Sequence, residues 1–128
     1  MPPCKTIIVV DDEAPIRMSF HSILKDRFNV IAFEKGTEAL QFIKENPGDA
    51  YAAFVDYCMP DMRGDEVCTA IRGLDSRISL IGFSGSDSAH FSEPIFALLH
   101  KKFFSVEKVE ELAVKAVAYA EELRRTGH

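Results

Sequence analysis

The sequence predicts a single α/β domain with a parallel, doubly wound sheet that is covered by helices on both faces. Short apolar runs alternate with amphipathic segments along the chain, which is typical of repeated strand and helix units. The length of 128 residues suits one domain, here residues 1–128, and leaves no room for a second core. Hydrophobic residues make up 47% of the chain and charged residues 27%, so a core can form without a disulfide or metal staple.

The apolar runs predict five strands and the amphipathic segments predict the helices between them. The strands are expected at residues 7–10, 29–33, 51–55, 78–83 and 97–101. Helices are expected at residues 15–27, 37–44, 65–72 and about 105–125, which leaves a strand-rich core over about 5–103. The first run is β-branched and wholly apolar, as in a strand buried on both faces. Pro15 suits a first helical turn, and Ser105 suits the N-cap of the last helix.

The connection between the fourth and fifth strands is short. Only thirteen residues, 84–96, must supply a loop, a helix and a return loop. Pro94 restricts the helix further, because an interior proline removes a hydrogen bond and clashes with the preceding turn. The sequence therefore predicts a shortened or irregular fourth helix.

Charge and cysteine content exclude several classes of function. A net charge of −5 disfavours direct binding to nucleic acid, because no positive field favours contact with phosphates. The longest run without a charged residue is nine residues, 78–86, against about 20 for a membrane helix. The amino terminus does not resemble a signal peptide, and three cysteines without paired spacing suggest reduced thiols. We therefore expect a cytoplasmic protein without membrane insertion.

Polar residues collect where the predicted strands end. They are Asp11 and Asp12 after the first strand, Asp56 after the third, Ser84 after the fourth, and Lys101 or Lys102 after the fifth. The carboxyl ends of parallel strands meet at one edge of the sheet, where ligands bind. Three neighbouring carboxylates repel one another, and such a cluster normally persists only when a cation or shared protons relieve the repulsion. Mg²⁺ is the natural cation, because it prefers oxygen ligands. A hydroxyl and an ammonium group suit a phosphoryl group, so this edge predicts phosphoryl transfer onto a carboxylate.

Four segments resemble the response-regulator receiver domain of two-component signalling, and the likeness covers essentially the whole chain. They read IIVVDDEAPIR, AAFVDYCMPDMRGDEV, LIGFSGS and KKFFSVEKVEEL. The resemblance implies a flavodoxin-like fold of five strands and five helices with the strand order 2-1-3-4-5. It also implies that a histidine kinase or phosphotransfer protein supplies the phosphoryl group, and that a downstream protein receives the signal.

The resemblance assigns roles at the carboxyl edge. Asp56, followed by the motif residues Met59-Pro60 and Gly64, is implied as the phosphoacceptor. Asp11 and Asp12 are implied as Mg²⁺ ligands together with Asp56 and the backbone carbonyl of Cys58. Ser84 is implied as the switch hydroxyl, with Ser86 and Ser88 as alternatives in the same turn.

The lysine of the site can be read in two ways. The family usually has Lys-Pro-Phe before a serine or aspartate, and aligning Phe104-Ser105 with that pattern selects Lys102. Lys101 is then expected to be a solvated neighbour. Phe103 takes the place of a proline whose preceding peptide bond is cis in the family. A cis bond before a non-proline residue costs about 2.5–4 kcal/mol, so the Lys102-Phe103 bond is either strained or trans.

The sequence favours a switch over a metabolic enzyme. A phosphatase or phosphotransferase with an aspartyl nucleophile would need a second acid two residues after Asp56, and Cys58 stands there. The alternative is a degenerate receiver that acts as a phosphorylation-independent interaction module. The short fourth-helix region supports that alternative, as does Leu99, which stands where the family tends to carry an aromatic switch residue.

Overall fold

A computed structural model describes residues 4–85, 95–101 and 105–126. The five strands of the described chain are β1 Thr6–Val10, β2 Asn29–Phe33, β3 Ala50–Asp56, β4 Ser79–Ser84 and β5 Ala97–His100. Its helices are α1 Ala14–Leu24, α2 Gly36–Glu45, α3 Gly64–Leu74 and α4 Val106–Arg125. All neighbouring strands are parallel and their order is β2-β1-β3-β4-β5. The predicted α/β class and strand order are confirmed.

The two faces of the sheet bury separate apolar cores. Alternate residues of β1 point to opposite faces. Ile7 and Val9 belong to the core that α1 and α4 cover, whereas Ile8 and Val10 belong to the core beneath α2 and α3. Every residue of β1 is buried, which explains why its sequence is an unbroken apolar run instead of an alternating one.

Register brings the strand ends to one edge. Val10 of β1 pairs with Phe33 of β2 and with Val55 of β3. The residues that follow Val10 therefore lie beside Asp56, the last residue of β3. In the same way Asp56 pairs with Phe83, so the end of β4 lies directly beside that carboxylate.

Most element boundaries agree with the sequence within two residues. The first helix is the exception, because it ends at Leu24 instead of at residue 27. The Arg27 and Phe28 N–H groups both donate to the Leu24 carbonyl, and this turn brings the chain into β2. Ser105 caps α4 as predicted, since its Oγ accepts a hydrogen bond from the Lys108 N–H at 3.1 Å.

Two sequence predictions fall outside the described residues. They concern the shortened fourth helix, which was expected between residues 86 and 94, and the conformation of the Lys102-Phe103 bond. Within the described ranges, no helix is both long and apolar enough to span a membrane.

An aromatic cluster holds α1 on the sheet. The fully buried ring of Phe20 lies 4.8 Å from the Phe54 ring and meets the Phe83 ring edge-on at 5.2 Å. We expect Phe20→Ala to lower the free energy of unfolding by about 3–5 kcal/mol, because it removes this packing and leaves a cavity. Urea denaturation measures the change. Met18→Ala on the same helix is the control, since Met18 is 69% exposed and its loss should cost less than about 0.5 kcal/mol. Equal losses would contradict this packing.

Candidate phosphoryl-binding site

Three carboxylates meet at the carboxyl edge of the sheet. Asp11 and Asp12 follow β1 directly, and Asp56 ends β3. One carboxylate oxygen from each lies within 4.8 Å of those of the other two. Asp11 is fully buried and Asp56 is 2% exposed, so solvent screens their repulsion poorly.

Lys101 supplies positive charge to this cluster. Its Nζ lies 3.3 Å from Asp56 Oδ1, 3.4 Å from Asp11 Oδ2 and 2.9 Å from Glu13 Oε2. The same ammonium lies 5.2 Å from the centre of the Phe83 ring. The expectation that Lys101 is a solvated neighbour is therefore wrong. Lys102, which the family pattern selected, lies outside the described residues.

Backbone pairing explains the position of Lys101. Ser84 pairs with His100, and the Lys101 N–H then donates to the Ser84 carbonyl at 2.8 Å, which continues the ladder by one residue. Side chains alternate along a strand, and Leu99 lies in the core under α1 and α4. Lys101, two residues later, is on the same face as Leu99 and lies over Phe83. The two-residue spacing between Leu99 and Lys101 is the sequence signal that could have identified Lys101.

Ser84 and Cys58 line a pocket of about 400 Å³ with the acidic residues and Lys101. Ser84 ends β4 and is 3% exposed, beside Asp56 on the neighbouring strand. Cys58 is exposed, and its backbone N–H favours the charged form of Asp56 and so acts to lower the pKa of that carboxyl. Ser86 and Ser88, the alternatives to Ser84, lie outside the described part of the chain.

Glu13 is a member of the site that sequence reasoning missed. Its carboxylate is 57% exposed, yet it makes the shortest of the three contacts of Lys101. Its backbone N–H also donates to Asp11 Oδ1 at 2.9 Å, so the first turn after β1 orients Asp11. The sequence carried no signal for the pairing with Lys101 beyond the position of Glu13 next to the acidic pair.

A glycine allows the loop after β3 to close against the end of that strand. The Gly64 N–H donates to the Tyr57 carbonyl at 2.8 Å. A Cβ at Gly64 would lie 2.2 Å from the Asp56 carbonyl oxygen, which is too close for any side chain. The glycine that follows the Met-Pro motif is therefore required by close backbone approach, and not by an unusual φ angle.

Burial, with a smaller contribution from neighbouring negative charge, raises the pKa values of Asp56 and Asp11. Burial raises the pKa of Asp56 to about 6, the charge of Asp11 adds to the rise, and Lys101 opposes it. Burial also raises the pKa of Asp11, although the hydrogen bond from the Glu13 N–H and the charge of Lys101 both act to lower it. For Lys101, burial favours a lower pKa, but the hydrogen bond to Glu13 and the charges of Asp56 and Asp11 outweigh it and raise the pKa. The single ammonium of Lys101 therefore does not neutralise the negative charge of all the carboxylates around it.

The donor set fits a small divalent cation. Asp11 Oδ2 is buried and has no well-formed hydrogen bond among the described residues, although Lys101 forms an ion pair with it. The groups available nearby are carboxylate oxygens, which Mg²⁺ prefers, and the described residues place no histidine among them. Asp11, Asp12 and Asp56 therefore have the chemistry of a magnesium site.

The raised pKa of Asp56 gives a prediction for stability without metal. The ordinary carboxyl pKa is near 4, so ionisation between about pH 4 and pH 6 disfavours the folded state and lowers its stability as pH rises. In EDTA at pH 7.5, Asp56→Asn should raise the free energy of unfolding by about 1–3 kcal/mol. The gain should shrink toward pH 4. Urea denaturation across this pH range measures it, and a gain that does not depend on pH would contradict the argument.

The family of the chain follows from comparison with protein families, which agrees with this strand order and with the acids at the carboxyl edge. The response regulator receiver domain family matches residues 7–105. The chain belongs to that family, whose members are the receiver domains of two-component systems.

Curated relatives share about a third of the matched residues. The chain is 32% identical over 83 residues to response regulator MprA of Mycobacterium tuberculosis, covering 64% of this chain and 35% of that protein. It is 35% identical over 77 residues to chemotaxis protein CheY of Bacillus subtilis, covering 59% of this chain and 62% of that one. A histidine kinase of Formosa agariphila is 33% identical over 95 residues, which is 65% of this chain but 7% of the kinase. The chain therefore spans less than two thirds of each of these relatives.

Solved structures share the fold at lower identity. The signal receiver domain of an HD domain-containing protein from Pseudomonas fluorescens superposes with a TM-score of 0.88 at 16% identity, covering 98% of this chain and 95% of that one. A receiver domain protein from Clostridium thermocellum gives 0.83 at 22% identity, covering 93% and 98%. These similarities establish the fold.

Proposed function

We propose that the chain is a phosphorylatable switch in which Asp56 accepts a phosphoryl group from a phosphohistidine protein when Mg²⁺ is bound. The observation that carries the proposal is the position of the Lys101 ammonium, 3.3 Å from Asp56 Oδ1 within the cluster of three carboxylates. The buried Asp56 carboxylate thus has a fixed positive charge and two further carboxylates, those of Asp11 and Asp12, close to it. The kinase, its phosphotransfer partners and the downstream protein are those of a two-component pathway, which we place in the cytoplasm.

The transfer needs an ionised Asp56. One Asp56 carboxylate oxygen attacks the phosphorus of phosphohistidine, the P–N bond breaks, and the imidazole leaves with the bonding electron pair and takes up a proton. The product is an acyl phosphate on Asp56. Since the pKa of Asp56 is about 6, most of the carboxylate is already ionised at neutral pH. The Cys58 backbone N–H favours this ionised form, because it acts to lower the pKa of Asp56.

Charge on the transferred group is distributed between the cation and the protein. Bound Mg²⁺, held by Asp11, Asp12, Asp56 and the Cys58 backbone carbonyl, would supply positive charge to the phosphoryl oxygens. Lys101 binds another phosphoryl oxygen through its ammonium, and we assign to it the role that the family pattern gave to Lys102. The Ser84 hydroxyl, buried in the same pocket, donates to a third oxygen.

The proposed chemistry is a single self-phosphorylation and not turnover. Cys58 offers only a weak donor where a phosphatase would use a general acid. The family tends to carry an aromatic switch residue three positions before the lysine. Leu98 stands three residues before Lys101 and Leu99 three residues before Lys102, and both are aliphatic. We therefore propose that the signal passes through a surface change that does not use a rotating aromatic ring. A phosphorylation-independent interaction module is the outcome if no phosphoryl group is accepted.

Incubation with acetyl phosphate tests the proposal without the unidentified kinase. We expect the intact chain to gain the mass of one phosphoryl group when Mg²⁺ is present, and to lose it on acid or hydroxylamine treatment, as acyl phosphates do. Mass spectrometry measures both. The control is the same reaction in EDTA, which should give no gain. A chain that is folded and binds Mg²⁺ but is never phosphorylated would refute the proposal.

A further inference from the structure

The amino end of α2 is capped by a residue from another loop. Lys35 is at the N-cap position, and its side chain is a donor that cannot accept a hydrogen bond from the helix. Asp61, in the loop between β3 and α3, accepts instead: Oδ1 from the Gly36 N–H at 3.4 Å and Oδ2 from the Thr37 N–H at 3.2 Å. Slight burial favours a higher pKa of Asp61, but these N–H groups outweigh it and lower the pKa.

The loop that carries Asp61 also borders the phosphoacceptor. It leaves β3 at Asp56 and returns to the same backbone at Gly64, where the Gly64 N–H donates to the Tyr57 carbonyl. Cys58 lies inside this closed loop and lines the pocket together with Asp56, whose pKa its backbone N–H acts to lower. The base of the loop is thus fixed by Gly64, and its far side is fixed by Asp61.

Close packing at Gly36 brings α2 against this loop. A Cβ at Gly36 would lie 2.5 Å from Val67 Cγ2 and 3.4 Å from Met62 Sδ. Met62 follows Asp61 in the loop, and Val67 is in the first two turns of α3. Two independent features therefore hold α2 against the loop between β3 and α3. Gly36 allows close packing because it has no side chain, and the Asp61 carboxylate accepts hydrogen bonds from the first residues of α2.

We propose that Asp61 is a positioning residue: by clamping residues 57–64 to the amino end of α2, it holds the Cys58 backbone in place for the cation and for Asp56. The proposal rests on the function proposed above. It adds that the geometry of the site depends on a second helix that contributes no side chain to the pocket.

Three variants separate positioning from simple capping and from charge. Asp61→Ala removes both hydrogen bonds, and Asp61→Asn removes the charge but keeps one acceptor oxygen. Glu34→Gln removes an equal charge from an exposed residue next to Lys35. We measure Mg²⁺ affinity by NMR titration of the unphosphorylated chain, and amide hydrogen exchange at Gly36, Thr37 and Gly64. Circular dichroism establishes that each variant is folded.

We expect Asp61→Ala to weaken Mg²⁺ binding about threefold to tenfold, in line with the loss of a helix cap, and to accelerate exchange at Gly64 as well as at Gly36 and Thr37. Asp61→Asn should lie between Asp61→Ala and the parent, and Glu34→Gln should match the parent. Faster exchange at Gly36 and Thr37 alone, with Mg²⁺ affinity unchanged, would show a plain helix cap and overturn the proposal. An equal loss of affinity in Glu34→Gln would overturn it too.

The two proposals fail in different ways. If the parent accepts no phosphoryl group, the proposed function fails, while exchange at Gly64 still decides whether Asp61 holds the loop. If the parent is phosphorylated and Asp61→Ala behaves like it in Mg²⁺ affinity and Gly64 exchange, only the role of Asp61 is refuted.

Discussion

Asp56→Asn is expected to abolish phosphorylation of the chain by acetyl phosphate. The carboxamide has the shape of the carboxylate but carries no negative charge and is a poor nucleophile, so no acyl phosphate can form. Asp56 lines the pocket with Ser84 and Cys58 and lies 3.3 Å from the Lys101 ammonium, whereas Asp11 is fully buried and does not line that pocket. Intact-mass spectrometry in the presence of Mg²⁺ should show the added phosphoryl group in the parent and none in the variant.

Two controls make this result specific. Glu13→Gln leaves the nucleophile and the buried acids in place and removes only the exposed partner of Lys101, so it should still be phosphorylated. Acid treatment shows which type of residue carries any phosphoryl group that remains in the variant. A phosphoserine at Ser84 survives acid, whereas an acyl phosphate does not. Acid-labile labelling of folded Asp56→Asn at the parental rate would place the acceptor elsewhere.

The sequence predicted those features that depend on local pattern. Buried runs gave the strands, and the rule that ligands bind at the carboxyl ends of parallel strands brought Asp11 and Asp56 together before any coordinates were known. The structure agrees, since these residues are adjacent through the pairing of Val10 with Val55. Among the described elements, only the end of the first helix differs from its predicted position by more than two residues, because helix ends depend on how the chain turns into the next strand.

Features that depend on contacts between distant segments were not predicted. Asp61 looked like an ordinary loop acid, and its role at Gly36 depends on how the loop after β3 packs beside α2. The contacts of Lys101 were missed for a different reason. Alignment to a family pattern favoured Lys102, whereas the alternation of side chains along β5 determines which ammonium lies over Phe83.

Lys101→Ala should slow phosphorylation by about a hundredfold or more, which is the usual cost of removing a fixed group that stabilises charge on a transferring centre. Without the Lys101 ammonium, Asp56 loses a partner at 3.3 Å, and the phosphoryl oxygens would lose the positive charge that the protein supplies. The rate is measured with acetyl phosphate at saturating Mg²⁺, so that altered metal affinity does not account for the loss. Lys101→Gln keeps a long polar side chain without the charge, so it tests whether the charge itself is required.

Lys102→Ala is the matched control, since it removes the same charge from the adjacent residue. If Lys101 has the role assigned here, the Lys102 variant should react at a rate near that of the parent. The family pattern makes the opposite prediction, in which Lys102→Ala loses activity and Lys101→Ala retains it. The two variants therefore decide whether the lysine of the site is Lys101, as side-chain alternation along β5 indicates, or Lys102, as alignment with the family motif indicates. A slow Lys102 variant beside a normal Lys101 variant would show that the contacts of Lys101 with Asp11, Glu13 and Asp56 stabilise the resting site without taking part in transfer.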